Sequence, residues 1–220
     1  MSLRSSKPQI AVVGAGVVGL STAVSIQQTI PSTDVTIIAD KVLNETLSYG
    51  AGGLFRPEVN IGTTLAEVEE WAKTSYDHYL KLCMSSEANA SGMQLVSGYH
   101  MSSFSRESIE NKLLSQLIPD IREFNQNERQ LFPNRFKYGI FLTTIITDPR
   151  YYLPFLTNQL MTNGGRVINR HIDCLSQLDG FDVVVNCTGL GAKSLVNDWK
   201  LTPIRGLFAF NTFDSKSILN

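Results

Sequence analysis

The sequence has no excess of charge of either sign and no long apolar run. Its 220 residues include 19 lysines and arginines against 20 aspartates and glutamates, for a formal net charge of −1. Such a chain offers no basic surface for nucleic acid and no segment long enough to span a membrane. We therefore expect a small-molecule ligand, with neither nucleic acid nor a membrane as a partner.

Cysteine is also scarce, with only Cys83, Cys174 and Cys187 in the whole chain. An odd number without a C-x-x-C spacing argues against a disulfide framework and against a zinc site, so no metal is predicted. Residues 1–9 are polar and contain no apolar signal core. These features predict an intracellular protein whose cysteines are small buried residues in a reducing compartment.

What the sequence does contain is a glycine motif within residues 10–20, an apolar run interrupted by Gly14, Gly16 and Gly19. In the pattern G-x-G-x-x-G the first glycine permits the tight turn after a strand, and the second lets a pyrophosphate approach the backbone. The third lets the following helix pack close to the strand. The helix N-terminus then favours the negative charge of the ligand. The stretch predicts a dinucleotide site.

The motif is a weak signal alone, and its context makes it specific. Residues 10–13 predict a strand, 20–28 a helix and 35–38 a second strand, which Asp40 follows. An acidic residue at that place is the expected partner of a ribose hydroxyl. The alternative is a glycine-rich turn in an ordinary βαβ unit without a ligand.

A second glycine turn, at 186–191, follows a valine-rich strand predicted at 181–186 and expected to be buried on both faces. Because ligands of open α/β sheets bind at the carboxyl ends of the strands, both turns are candidates for one crevice, although a purely structural turn is the alternative. The small residues of 46–57 suit backbone lying against a flat ligand, and a flexible loop is the alternative there.

The remaining elements follow from hydrophobic periodicity and capping signals. Thr64 and Glu67 have the spacing of a capping box, and Pro154 is compatible with its helix only in the first turn. We predict helices at 63–83, 107–117 and 153–161, strands at 94–103, 136–147 and 166–169, and a loop at 125–134.

Several motifs together resemble the D-amino-acid oxidase family of flavoenzymes, and within it the aspartate branch. The resemblance covers nearly the whole chain. The segments that carry it are 14–22 (GAGVVGLST), 39–41 (ADK), 51–57 (AGGLFRP), 95–99 (LVSGY), 152–156 (YLPFL), 183–191 (VVVNCTGLG) and 203–206 (PIRG).

The resemblance implies an α/β fold in which a Rossmann-like FAD-binding domain is interleaved with part of an α+β substrate domain. The FAD-binding domain would comprise 1–60 and 145–206, the substrate domain 61–144, and a divergent tail 207–220. The implied activity is FAD-dependent oxidative deamination of D-aspartate or neutral D-amino acids. Dioxygen is the second substrate, and the products are 2-oxo acids, ammonia and hydrogen peroxide.

The resemblance also assigns residues to the FAD site along the pyrophosphate, the ribose, the adenine and the flavin ring. Those positions are Gly14, Ala15, Gly16, Val17, Val18, Gly19, Asp40, Lys41, Thr46, Ser48, Gly52, Gly53, Leu54, Val167, Thr188 and Gly189. Arg56 would lie on the substrate side of the flavin, the alternative being an arginine that reaches the surface. Glu58 replaces a histidine of the aspartate branch and would repel an acidic substrate.

In the family, a carboxylate-binding arginine and a terminal peroxisome signal follow the segment that ends here at Gly206, and residues 207–220 match neither. We therefore expect a shortened form with weak or no oxidase activity, peroxisomal or cytoplasmic by family but without the C-terminal signal. Other interpretations are a non-catalytic FAD-binding or interaction protein, an NAD-dependent dehydrogenase, and a chain that does not fold stably. The sequence leaves the oligomeric state open.

Overall fold

The computed structural model describes residues 7–58 and 62–203. These residues form two compact units, one from 7–41 with 166–203 and the other within 42–165. The domain boundaries predicted from the sequence separate residues that bind the cofactor from residues that bind the substrate. The division of the backbone into two compact units does not test binding, so those boundaries stay a prediction. The predicted tail, 207–220, lies outside the described residues.

Strands and helices are interspersed along the described chain. The strands are β1 (Gln9–Val13), β2 (Asp34–Ala39), β3 (Met93–Ser102), β4 (Ile121–Glu123), β5 (Tyr138–Thr147), β6 (Arg166–Asn169) and β7 (Val183–Asn186). The helices are α1 (Val17–Thr29), α2 (Leu65–Cys83), α3 (Ala88–Ser91), α4 (Lys112–Leu117), α5 (Gln126–Arg129), α6 (Pro149–Thr162) and α7 (Ala192–Leu195). Within the described parts of the chain, no helix combines the length and the apolar character needed to cross a bilayer.

The first unit is built on a parallel sheet with the strand order β6-β2-β1-β7. Ile10 of β1 pairs with Val35 of β2 and with Val183 of β7, and Ile37 of β2 pairs with Val167 of β6. Because all these pairings are parallel, the carboxyl ends of the four strands lie along one edge. This arrangement confirms the predicted α/β class and places both glycine turns at that edge.

The prediction that β7 is buried on both faces is wrong for the described structure. Val183 has 48% of its surface exposed, whereas Ala11 and Val12 of β1 have none. The reason is position in the sheet. Among the described strands β7 is one of the two outer strands of this sheet and pairs only with β1, so fewer neighbours cover it.

The second unit contains an antiparallel sheet with the strand order β3-β5-β4. Its longest pairing joins β3 to β5 from Met93 opposite Thr147 to Ser102 opposite Tyr138. Helix α2 begins at the predicted capping box, in which Thr64 accepts from the Glu67 backbone and the Glu67 side chain accepts from the Thr64 backbone. This local pairing fixes the start of the helix because it satisfies two of its unbonded N–H groups.

Three local expectations in this unit are wrong. Helix α6 begins at Pro149, where Asp148 caps it, so Pro154 lies in the helix interior and not in the first turn. The segment predicted as a loop contains α5, capped by Asn125 and Glu128. The helix predicted at 107–117 is shorter, because Asn111 accepts a hydrogen bond from Leu114 N and starts α4 there.

Glu128 organises one face of the antiparallel sheet although its sequence position suggested only a loop. Arg122 donates to both carboxylate oxygens, each at 2.7 Å, and the Tyr99 hydroxyl donates to Oε1 at 2.9 Å. The backbone N–H of Asn125 donates to Oε2 at 2.9 Å. These hydrogen bonds, led by the one from Arg122, lower the pKa of Glu128 to about 2.

The first prediction concerns acid stability. Since the folded-state pKa of Glu128 lies below its reference value of 4.5, the network contributes stability above pH 4.5 and loses it as pH falls toward 2. We expect Glu128→Gln to lower the free energy of unfolding at neutral pH, and the difference from the unmodified chain to shrink across that window. Urea unfolding at several pH values measures it, and Glu70→Gln, an exposed residue of α2, is the control. A difference that is constant with pH would contradict the prediction.

The second prediction concerns Gly139, which lies under an aromatic cluster on β5. A Cβ at this position would lie 2.2 Å from the Phe124 ring, and that ring is stacked on Phe132 with centroids 5.4 Å apart, so it has little room to move. We expect Gly139→Ala to lower the free energy of unfolding by about 1–3 kcal/mol, as overpacking does.

The matched control is Gly98→Ala on the adjacent strand β3, where nothing lies within 4 Å of an added Cβ. It adds the same methyl group to the same sheet and should change stability little. The double variant Gly139→Ala with Phe124→Leu should recover part of the loss, because the smaller side chain vacates the space. Equal unfolding midpoints for Gly139→Ala and Gly98→Ala would show the prediction wrong.

Candidate cofactor site

The two glycine turns touch at the carboxyl edge of the parallel sheet. Gly14 has φ = +111°, a conformation that favours glycine, and its N–H donates to Ile38 O at 2.9 Å. A Cβ on Gly14 would lie 2.3 Å from the Cys187 carbonyl oxygen and 3.3 Å from the Thr188 Cα. The turn after β1 therefore packs directly on the turn after β7, and only a glycine fits between them.

Gly19 brings helix α1 against the turn that precedes it. A Cβ on Gly19 would lie 1.9 Å from the Gly14 carbonyl oxygen and 3.4 Å from the Cys187 Cβ. The third glycine of the motif is therefore required by packing within the protein. Its absence of a side chain sets how closely the helix N-terminus approaches the strand edge.

The N-terminus of α1 faces this edge without a side-chain cap. Gly16 precedes the helix in extended backbone, and its carbonyl accepts from Leu20 N at 3.0 Å. Within the described residues, no side chain caps the helix and no acidic residue lies in its first turn. The positive end of the helix dipole is therefore not neutralised by the helix's own side chains, which suits a phosphate. Ala15 is buried and Val18 is 64% exposed.

Asp40 follows β2 at the same edge and is exposed, as is Lys41 beside it. The His171 Nδ1 lies 3.0 Å from the Asp40 Oδ2, and the His171 Nε2 lies 3.4 Å from an Asp173 carboxylate oxygen. Sequence reasoning missed His171. The available signal was its position two residues after the β6 strand, which sheet pairing places beside the end of β2.

The turn after β7 has its own hydrogen bonds. The Asn186 side-chain oxygen accepts from the Thr188 backbone at 3.2 Å and from the Thr188 hydroxyl at 2.7 Å. Gly189 has φ = +53° and open space around it. Burial raises the pKa of the half-buried Cys187 thiol. The turn is thus held by Asn186, which leaves the Gly189 backbone accessible.

The second unit holds the remaining predicted residues of 46–57, which are ordered by local contacts. The Thr46 hydroxyl donates to Leu43 O at 2.7 Å. The Gly53 carbonyl accepts from Thr147 N at 2.9 Å, and a Cβ on Gly53 would lie 1.8 Å from Thr147 O. Leu54 then bridges to Ile146 and is 53% exposed. This part of the stretch extends the antiparallel sheet.

Arg56 forms an exposed ion pair in the same unit. Its Nη1 lies 3.3 Å from the Glu58 Oε1. Such a pair is weak in solvent, so it holds neither side chain firmly. Burial and the nearby Arg56 charge lower the pKa of His100. Because Arg56 is exposed, its guanidinium is accessible to a ligand, and the Glu58 carboxylate lies beside it.

The structure thus brings together, at one edge of the parallel sheet, the predicted residues of the first unit. These are Gly14, Ala15, Gly16, Val17, Val18, Gly19, Asp40, Lys41, Thr188 and Gly189. Val167 lies within β6 and pairs with Ile37 of β2. The other predicted residues belong to the second unit. They are Thr46, Ser48, Gly52, Gly53, Leu54 and Arg56.

Comparisons with known proteins give this geometry a family. A family model described as FAD dependent oxidoreductase matches residues 9–210. The chain is 37% identical to human D-aspartate oxidase over 199 residues, which is 90% of this chain and 58% of that protein. It is 29% identical to a D-amino acid oxidase of Dugesia ryukyuensis over 201 residues, 90% of this chain and 59% of that protein. The chain therefore spans about three fifths of the length of these curated relatives.

Solved structures agree on the fold. The crystal structure of glycine oxidase from Geobacillus kaustophilus superposes with a TM-score of 0.66 at 14% identity, covering 89% of this chain and 59% of that one. Because the sequence identity is only 14%, this similarity shows the fold alone, and it confirms the predicted Rossmann-like architecture. The sequence resemblance is confirmed by the family match over 9–210. The chain belongs to the FAD-dependent oxidoreductase family.

Proposed function

We propose that the carboxyl edge of the parallel sheet binds the ADP part of FAD. The observation that carries the proposal is the contact between the two glycine turns beside the uncapped start of α1. Gly14 and Gly19 let the backbone come together there, and Gly16 is the residue just before the helix. A pyrophosphate at this place would accept hydrogen bonds from backbone N–H groups and would lie at the positive end of the helix dipole.

The ribose follows from the same geometry. Asp40 is exposed at the end of β2, the strand next to β1, and a carboxylate there accepts hydrogen bonds from ribose hydroxyls. Lys41 adds a positive charge next to it. Val167 and the turn at Thr188 and Gly189 complete the assignment on this unit, and Thr46, Ser48, Gly52, Gly53 and Leu54 are assigned to the flavin half. These assignments rest on the family motifs.

The reaction we propose is oxidative deamination of a D-amino acid. Bound FAD supplies the acceptor for a hydride from the substrate α-carbon. Overall, the D-amino acid, water and dioxygen give a 2-oxo acid, ammonia and hydrogen peroxide. The role of the chain is to hold the cofactor, orient the substrate and exclude water.

Arg56 and Glu58 bear on the choice of substrate. The sequence suggested that Glu58 would repel an acidic substrate. Its carboxylate lies beside Arg56, however, so the pair has no net charge and the repulsion is reduced. We propose D-aspartate as the preferred substrate, with neutral D-amino acids next. The D-aspartate oxidases among the relatives support this order.

The first experiment tests FAD binding through the visible absorption spectrum of the purified chain, reconstituted with FAD and desalted. We expect flavin bands between about 370 and 460 nm, as the cofactor class requires. Reconstitution with NAD under the same conditions is the control for dinucleotide class. A chain that retains no flavin at saturating FAD would overturn the proposal.

The second experiment tests the reaction in a single turnover, because the sequence predicts weak activity. Under anaerobic conditions D-aspartate should bleach the flavin absorption at about 460 nm, D-alanine should do so more slowly, and L-aspartate should not. Bound flavin that none of these amino acids bleaches would overturn the deamination and leave the FAD site standing, as a non-catalytic flavin-binding protein.

A further inference from the structure

His171 is the one imidazole that the described structure places at the carboxyl edge of the parallel sheet. Its Nδ1 lies 3.0 Å from Oδ2 of Asp40, and its Nε2 lies 3.4 Å from Oδ1 of Asp173. Neither the family motifs nor the proposed FAD contacts include this histidine. The ring bridges two carboxylates, only one of which is a proposed ligand of the cofactor.

Sheet pairing determines the position of the histidine. Asn169 of β6 pairs with Ala39 of β2, and the next backbone N–H, that of Arg170, donates to the Ala39 carbonyl at 2.9 Å. The hydrogen bonding between β6 and β2 therefore continues to Ala39, the last residue of β2, and places His171 beside Asp40. On the far side, the Asp173 backbone N–H donates to the Gln177 side-chain oxygen at 2.8 Å, which fixes the backbone at that residue.

The contact has a consequence for the Asp40 side chain. Both groups are largely exposed, with half of the Asp40 side chain in solvent, so without a partner the carboxylate would rotate freely. When Nδ1 carries the proton it donates to Oδ2, which favours one orientation of the carboxylate and leaves Oδ1 to accept from a ligand hydroxyl. A side chain held before binding loses less entropy when the ligand arrives.

We infer that His171 is a positioning residue for nucleotide binding, which orients Asp40 toward the adenosine ribose of FAD. The inference rests on the proposed FAD site and adds to it a residue that never contacts the cofactor.

The test compares two variants that split the two contacts. His171→Asn places an amide nitrogen near the position of Nδ1 and keeps the donor to Asp40, whereas His171→Gln places it near Nε2 and loses that donor. The affinity for FAD is measured by titration of flavin fluorescence with each chain. We expect His171→Ala and His171→Gln to weaken FAD binding about fivefold, the upper limit for an exposed pair, and His171→Asn to stay within about twofold of the unmodified chain.

A double-mutant cycle with Asp40→Ala shows whether the effect runs through Asp40. In that background His171→Ala should change FAD affinity by less than about twofold, because the side chain it positions is gone. Urea unfolding of the FAD-free variants should be unchanged, since an exposed pair contributes little stability. That result separates positioning from a general structural role.

The outcomes distinguish this inference from the proposed function. If the unmodified chain binds FAD and His171→Asn binds as weakly as His171→Ala, the positioning role is wrong and the FAD site stands. The same holds if His171→Ala weakens FAD binding equally with and without Asp40. If the unmodified chain binds no FAD, the proposed function and this inference both fail.

Discussion

Gly19→Ala is expected to lower the free energy of unfolding by about 2–3 kcal/mol, the upper part of the range for overpacking. The added Cβ would lie 1.9 Å from the Gly14 carbonyl oxygen. That obstacle is backbone within the tight turn and cannot rotate away as a side chain would. Helix propensity favours alanine by only about 1 kcal/mol, so the clash determines the sign.

The same substitution should weaken FAD binding at least about tenfold, because the helix must move away from the strand edge that positions its N-terminus. Chemical unfolding gives the stability and a fluorescence titration gives the affinity. The matched control is Gly180→Ala in the same unit, which adds the same methyl group where nothing lies within 4 Å. Equal stability and equal FAD affinity for the two variants would contradict the packing role of Gly19.

Gly53→Ala should have a comparable effect on the second unit. Gly53 has φ = +67°, where a residue with a side chain is strained by about 1–2 kcal/mol. The new Cβ would also lie 1.8 Å from the Thr147 carbonyl oxygen, and the backbone between them is hydrogen-bonded. We expect a total loss of about 2–4 kcal/mol in the free energy of unfolding.

This prediction separates two explanations of the glycines at 50–53. If Gly53 were needed only for close approach of a ligand, the stability of the FAD-free chain would not change. If it is needed by β5, the FAD-free chain is destabilised, and that is the expected result. Gly50→Ala, at which an added Cβ meets nothing within 4 Å, is the control and should unfold like the unmodified chain.

The elements that the sequence predicted well are those whose signals are local. The unit from β1 to β2 has the strand, glycine turn, helix and acidic residue within 10–40, and the structure has each of them. The capping box at Thr64 and Glu67 was readable for the same reason, since its partners are three residues apart. The assignments of FAD and substrate residues stay predictions.

The errors also have a common cause. The capping box at Asn125 and Glu128 was overlooked because the polar composition around it indicated a loop, yet the carboxylate is satisfied by Arg122 and Tyr99 from β4 and β3. The burial of β7 was overestimated because a run of valines does not reveal whether its strand is central or at an edge. The environment of Glu128 and the exposure of β7 were both determined by neighbouring residues that are distant in the sequence.

The sequence by itself determined the family, the dinucleotide motif and the strand-turn-helix unit that carries it, because these depend on residue types at short spacings. Tertiary structure decided which turns and side chains meet. Gly14 packs on Cys187 only because β1 and β7 pair in parallel, and His171 lies beside Asp40 across 131 residues only because β6 pairs with β2. The pairing of strands distant in sequence depends on the packing of the whole unit, which no local pattern specifies.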